Sequence, residues 1–328
     1  MAVVDQDARI AALVRGERFA VAASLNDVED ARPAARAWAR AFEGALVRSG
    51  ASRRAHRIGI TGPPGVGKSS LVAALARAWR TGDAEKRRTV GVLAVDPSSA
   101  RSGGALLGDR VRIAFDGEDP GLFIRSLATR GELGGLARAV PGEVIVMAAA
   151  FDVVVVETVG VGQSETDVRD VVDTLVFVVQ PGAGDTLQHL KAGIMEVPDL
   201  FVVNKADTPM AAQTRSELRA ALASLRHAGV ADVSAVVTTS ATDGTGIGEL
   251  VAAIEAHRAT SDASGALEER RRGGAIARGV RAFERRYGEM GVERAGGGDA
   301  VRAVVETGLA AGEDVASLVE RMSPFGDP

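Results

Sequence analysis

The octapeptide 62-GPPGVGKS-69 limits what this chain can fold into more than any other stretch. It satisfies G-x-x-x-x-G-K-[ST] at every fixed position, follows the apolar run RIGIT and opens the helical pattern SSLVAALARAW. The backbone must therefore leave a buried strand, turn tightly and enter a helix at once. Gly62, Gly65 and Gly67 allow the turn to fold its N–H groups inward. Lys68 adds a cation, the Ser69 hydroxyl is a hard ligand suited to Mg2+, and the helix start adds partial positive charge. The bland alternative is a tight Gly/Pro turn before a helix. Strand, motif and helix in this order favour a phosphate cradle, with Gly62, Pro63, Gly65, Val66, Gly67, Lys68, Ser69 and Ser70 as its expected ligand contacts.

Six short β-branched runs punctuate the chain after this point: RIGITG, TVGVLAVD, FDVVVVETV, TLVFVVQP, DLFVVNKAD and VSAVVTTSA. They are apolar throughout rather than alternating, so both faces of each strand are expected to be covered, as in a mostly parallel sheet between helix layers. VRIAF and LFIRSLA are weaker candidates for further strands. Aromatic residues make up only 4% of the chain while 46% is hydrophobic, so the core must be built from Ala, Val and Leu. Residues 1–52 carry apolar positions three and four apart and predict a helical extension. Residues 53–260 hold the α/β pattern. Residues 261–328 return to helical periodicity, split by the glycines at 296–298. This tail looks too small and too charged to hold a core of its own, and is expected to pack on the main domain or on a second subunit.

Bulk properties remove several function classes. There is no cysteine, which excludes disulfides, thiolate zinc sites and thiol catalysis. His56, His189, His227 and His257 are widely scattered, against a structural zinc site. Net charge is −4 with no basic stripe interleaved with aromatics, against nucleic-acid binding. The first residues carry acids and no long apolar run, unlike a signal peptide, and no run approaches a membrane span. A cytoplasmic protein is the expectation.

The stretch 204-NKAD-207, closing the strand DLFVV, specifies the base. Asp207 can accept two hydrogen bonds from the N1–H and exocyclic amine of guanine, a donor pair that adenine lacks. The Lys205 stem can lie along the base, and Asn204 can tie its loop to the phosphate loop. A solvated polar loop is the alternative, which the preceding phosphate loop disfavours. Ser240 and Ala241 close VVTTS and match a short element that supports the base through its backbone. Three acids are candidates for the metal beside Ser69: Asp96 at the end of TVGVLAV, Asp109 in ALLGDR and Glu157 at the end of VVVV. All can reach the edge outside the carboxyl ends of parallel strands. A Mg2+ ion holding phosphate oxygens and Ser69 needs only one or two more ligands, so spacing leaves open which acid serves. A helix cap in DPSS is the alternative reading of Asp96, and a solvated loop acid that of Asp109. An acid closing a buried valine strand needs a partner.

GPPGVGKSS, VLAVDPSS, LLGDRVR, ETVGVGQSE, GAGDTLQHLKAGIMEVPD and NKAD occur in that order. The set resembles the MeaB/ArgK/MMAA GTPases, G-protein chaperones of adenosylcobalamin-dependent methylmalonyl-CoA mutase. The resemblance implies a P-loop GTPase domain with a helical N-terminal extension and a C-terminal dimerisation arm, hence a homodimer, with GTP/GDP and Mg2+ bound. It implies that Glu157 stands where other GTPases place a switch Asp, with Gly160 and Gly162 in a segment that moves toward or away from a γ-phosphate. Gln163 is placed to orient water, although two residues further from the switch glycine than the catalytic Gln of Ras-like proteins. A second switch over 182–193 would supply Gln188 and Lys191, which with Lys68 and Glu157 form the expected catalytic set. A solvated helix start is the alternative reading of that segment, and His189 within it reads as packing or surface.

The function this implies is a GTP-hydrolysing chaperone that binds an adenosylcobalamin-dependent acyl-CoA mutase and gates its cofactor loading. Two alternatives remain: a metallochaperone GTPase, which would call for His-rich or Cys-containing segments that this chain lacks, and a kinase or transport ATPase of the ArgK label, which NKAD opposes.

Overall fold

The computed structural model describes residues 6–30, 32–81, 87–96, 119–128, 139–158, 168–182, 198–227 and 235–324. These divide into two compact units. One holds residues 56–138 and 151–264, and the other holds 1–55, 139–150 and 265–328.

The first unit is the α/β body. Its strands are β1 (His56–Thr61), β2 (Val90–Asp96), β3 (Leu122–Ala128), β4 (Val153–Glu157), β5 (Thr174–Val179), β6 (Leu200–Val203) and β7 (Ala235–Thr238). They form one sheet in the order β3-β2-β4-β1-β5-β6-β7, and every pairing is parallel. All six expected strands are present, and LFIRSLA supplies the seventh. VRIAF lies outside the described residues. Strand alternation divides the core into two layers. Ile58, Ile60, Val176, Val178, Leu200 and Val202 face a cluster completed by Leu71, Leu75 and Trp79 of α4 (Lys68–Arg80) and by Leu250 and Ile254 of α7 (Ile247–Ala263). Phe177, Val179, Phe201 and Val203 point the other way, onto Leu218 and Leu222 of α6 (Ala211–His227). Covering on both faces is the physical reason these strands carry no polar alternation.

At the amino edge of the sheet, polar groups are organised rather than absent. His257 Nε2 faces Asp199 Oδ1 at 3.4 Å, and its Nδ1 is hydrogen-bonded to the Thr174 hydroxyl at 2.8 Å. Thr174 Oγ1 is also hydrogen-bonded to His56 Nε2 at 2.7 Å. Asp199 also takes the Leu175 N–H at 2.8 Å and the Arg169 guanidinium. Two histidines that are far apart in sequence thus meet on one hydroxyl. Among the described residues no cluster of His, Asp or Glu could hold a metal ion.

The second unit is helical: α1 (Gln6–Val14), α2 (Arg18–Glu29), α3 (Pro33–Arg48), α5 (Val140–Ala150), α8 (Ala266–Arg294), α9 (Gly298–Ala310) and α10 (Val315–Arg321). In α5 the sequence VPGEVIVMAAA is apolar nearly all round, and the helix packs among α1, α2 and α3 with Val144, Val146 and Met147 buried. The tail departs from expectation in two ways. Its second helical pattern breaks at Gly312 (φ 84°) into α9 and α10. It also holds a small core of its own, Ile276, Phe283, Val301, Val305 and Val319. Close helix approach makes this possible: a Cβ on Gly279 would lie 2.5 Å from Val305 Cγ1. No helix among the described residues is long and apolar enough to cross a membrane.

Within this unit Glu43 on α3 is pressed against Gly142 of α5, where an added Cβ would stand 2.2 Å from its Oε1. Burial, reinforced by the Asp314 carboxylate and only partly offset by Arg278 and Arg40, pushes its pKa up from 4.5 to about 7. The folded state therefore holds the proton that the unfolded chain releases, and stability falls as pH rises from about 4.5 through about 7. Glu43→Gln should flatten that slope and add about 3 kcal/mol above pH 7. Urea denaturation at pH 5 and pH 8 checks this, and equal gains at the two pH values would contradict it.

Candidate nucleotide site

In a parallel sheet all carboxyl ends lie on one edge, and ligands bind in the crevice beside them. Here that edge gathers Gly62 after β1, Glu157 closing β4, Asn204 after β6 and Thr239 after β7. Register places Glu157 beside Ile60 of β1 and Ala94 of β2, immediately next to the root of the phosphate loop.

The loop 62–67 is held from below and from the side. Gly62 takes φ 140°, and a Cβ there would stand 2.2 Å from the Val178 carbonyl oxygen. Val66 is buried in the core cluster and anchors the loop by its side chain. Gly67 (φ 89°, ψ 30°) caps α4, whose first N–H groups have no side-chain cap. Those donors and the helix dipole face the loop and suit an anion. Lys68 Nζ reaches back across the loop, donating to Gly62 O at 2.8 Å and Pro63 O at 3.1 Å. Ser69 Oγ donates to Glu157 Oε1 at 2.6 Å, which answers the need of a buried acid for a partner. Thr158, next in the chain, bonds to Thr61 at 2.9 Å, hydroxyl to hydroxyl, and its N–H reaches Ile60 O at 3.1 Å. The acid therefore sits on a rigid root.

The pairing of Ser69 and Glu157 fits Mg2+. Both are hard oxygen donors, and oxygens on neighbouring corners of a Mg2+ octahedron stand about 2.9 Å apart, close to the 2.6 Å seen here. Asp96 closes β2 on the same edge, but its side chain lies outside what is described. Asp109, Gly160, Gln163, Gln188, His189 and Lys191 also lie outside the described residues.

The NKAD element is bolted to this loop. Asn204 Nδ2 donates to Val66 O at 2.9 Å, while its Oδ1 accepts from Thr239 Oγ1 at 3.2 Å. Lys205 Nζ donates to Gly65 O at 2.7 Å and Gln180 Oε1 at 2.8 Å. Ala206 N–H bonds Thr239 O at 2.9 Å. Asp207 is exposed at the end of the element. Ser240 and Ala241 begin a loop closed by Ser240 N–H to Thr245 O and Gly244 N–H to Ser240 O, both 2.9 Å. Asp243 stiffens that loop: the Thr245 backbone N–H, then the Thr245 and Ser240 hydroxyls, hold its carboxyl below the usual range. Sequence reasoning did not single out Thr158, Gln180, Thr239 or Asp243. Thr239 and Asp243 carried a signal, since they lie beside Ser240 and Ala241, and Thr158 lies within ETVGVGQSE; Gln180 carried none beyond standing at a strand end.

Gly62→Ala would drive a methyl group into the Val178 carbonyl, a backbone atom that cannot yield. Titration with a fluorescent GTP analogue should show binding lost by about 100-fold or more, because the amides that face the phosphates move. Unchanged affinity would contradict this loop geometry.

The profile of the family described as methylmalonyl-CoA mutase-associated GTPase MeaB matches residues 21–284. A Mycobacterium tuberculosis protein named as a GTPase is 41% identical over 268 residues, 80% of this chain and 78% of that one. A Caenorhabditis elegans protein named methylmalonic aciduria type A homolog, mitochondrial, is 36% identical over 271 residues, 79% of this chain and 67% of that one. The crystal structure of a LAO/AO transport system kinase superposes with a TM-score of 0.67 at 25% identity, covering 99% of each chain. The matched span takes in the phosphate loop, the Glu157 strand and the NKAD element together, and the chain belongs to the MeaB family of methylmalonyl-CoA mutase-associated GTPases.

Proposed function

We propose that this GTPase serves as the G-protein chaperone of an adenosylcobalamin-dependent acyl-CoA mutase, methylmalonyl-CoA mutase being the first candidate, and that its nucleotide state gates cofactor loading. The observation that carries the reading is the joining of an NKAD element to a complete phosphate loop through Asn204 and Lys205 in a chain of the MeaB family. Asp207 reads guanine from its exposed position, and Ser240 and Ala241 support the base. A transport kinase, as the superposed structure is named, would call for adenine, which offers Asp207 no donor pair.

Hydrolysis on this reading is in-line attack of water on the γ-phosphate. Lys68 turns from the Gly62 and Pro63 carbonyls to the β/γ-phosphates, and the loop amides hold the oxygens whose charge grows in the transition state. Ser69 and Glu157 would hold Mg2+, which when bound would neutralise phosphate charge, and Asp96 and Asp109 would be the further acids for it. Gly160 belongs to the segment that senses the γ-phosphate, while Gln188 and Lys191 couple hydrolysis to the mutase. Along the sequence the GTPase domain is taken as 53–260, with 1–52 as its extension, and the arm 261–328 carries homodimerisation in a cytoplasmic protein.

Lys68→Ala should lower GTP turnover by about 100-fold or more, since one charge on the transferring group is lost; wild-type turnover would remove the phosphate-loop assignment. Asp207→Asn should shift preference from GTP to XTP, read by competition binding, and an unchanged preference would remove the base assignment. The partner is tested by adding a B12-dependent acyl-CoA mutase from the same cell: turnover should rise strongly with it, and a rate indifferent to every such mutase would refute the chaperone role.

A further inference from the structure

We propose that Gln180, which belongs to no nucleotide-binding motif, is a positioning residue of the guanine site: it fixes the Lys205 ammonium where that side chain braces the phosphate loop. The proposal rests on reading NKAD as the base-reading element.

Gln180 directly follows β5, the strand between β1 and β6, so it stands between the strand that launches the phosphate loop and the strand that launches NKAD. Its Oε1 lies 2.8 Å from Lys205 Nζ, and Nζ also reaches Gly65 O at 2.7 Å. An ammonium only donates, so the amide oxygen, not the nitrogen, must face it. The lysine is thus held between a side chain at the end of β5 and a backbone oxygen at the crown of the loop. Its Cε passes 4.0 Å from where a Cβ would stand on Gly67, so the stem lies along the loop.

The backbone of Lys205 explains why its side chain needs a second hold. Among the described residues it is the only non-glycine with a left-handed φ, 60°. Such a conformation persists where the surroundings over-determine it. Here Asn204 N–H bonds Val179 O and Ala206 N–H bonds Thr239 O, both 2.9 Å, while Lys205 O accepts from the Thr208 hydroxyl at 2.8 Å. These bonds fix the backbone, but a flexible four-carbon stem remains. Without Gln180 the ammonium keeps one protein acceptor, turns its other donors to water and regains rotamer freedom. Gly65 and the stem surface offered to the base then lose their fixed position. The cost falls on binding of GTP and GDP alike, since neither contact touches the γ-phosphate.

The test is titration of fluorescent GTP and GDP analogues with Mg2+ into the full chain, comparing wild type, Gln180→Ala, Gln180→Met, Lys205→Met and the Gln180→Ala/Lys205→Met double variant. Gln180→Ala should weaken both nucleotides about ten-fold, the worth of one hydrogen bond to a charged group. Its kcat at saturating GTP and its thermal midpoint should stay at the wild-type values. Gln180→Met, which fills the space without an acceptor, should behave as the alanine variant does and stands in for it if that variant is unstable. In the Lys205→Met background Gln180→Ala should cost nothing more, because its effect passes through the ammonium. Wild-type affinity in Gln180→Ala and Gln180→Met, or losses that multiply in the double variant, would overturn the proposal while leaving NKAD as the base reader. A wild-type chain that binds neither guanine nucleotide would overturn the NKAD reading itself, and this proposal with it.

Discussion

The hydrogen bond from Asn204 to the Val66 carbonyl is the contact on which the rest of the site depends. A glycine-rich loop has little conformational preference of its own. It is shaped here because its one apolar residue is buried and the carbonyl of that residue is claimed from the neighbouring strand end. The same asparagine is held from the other side by Thr239, so the ends of β1, β6 and β7 form one connected unit at the carboxyl edge. The loop 62–67 and the NKAD element are tied to each other by these bonds. On the proposed reading a nucleotide that occupies one meets the other in fixed register, which is preorganisation in the sense that catalysis requires.

That unit rests on the two-layer core. Val176 and Val178 pack toward α4, Phe177 and Val179 toward α6, so a single strand locks the sheet to helices on both faces. The opposite, amino edge is secured by a different chemistry, the His56–Thr174–His257–Asp199 chain with Arg169. Strand ends are where backbone polar groups run out of ladder partners, and both edges solve that problem with buried side-chain hydrogen bonds. One edge is left able to meet a ligand, and the other is closed on itself.

The sheet was legible because its strands are apolar on both faces and are separated by turn signals, a pattern with few alternative readings. The phosphate loop and NKAD were legible because their chemistry depends on residue type at short fixed spacing. What escaped shares one cause: contacts between residues far apart in sequence. Gln180 meets Lys205 only because β5 and β6 are neighbours, and Thr158 meets Thr61 only because β4 lies beside β1. The core of the tail was hidden for a similar reason. Ile276, Phe283, Val301 and Val305 look sparse along the chain, and become a cluster once Gly279 lets α8 and α9 approach. Helix α5 is short and apolar, a pattern shared by strands and buried helices, so periodicity alone does not assign it.

Glu157 brings these threads together. Its length carries a carboxylate from the end of β4 to the Ser69 hydroxyl, and the Thr158–Thr61 bond fixes the base from which it reaches. On the proposed reading this edge binds and hydrolyses a guanine nucleotide with Mg2+. The direct measurement is phosphate release by the purified chain from GTP and from ATP, side by side, with and without Mg2+. Release is expected from GTP only, and only with Mg2+; equal release from ATP, or release indifferent to Mg2+, would overturn the assignment of this edge to a guanine nucleotide.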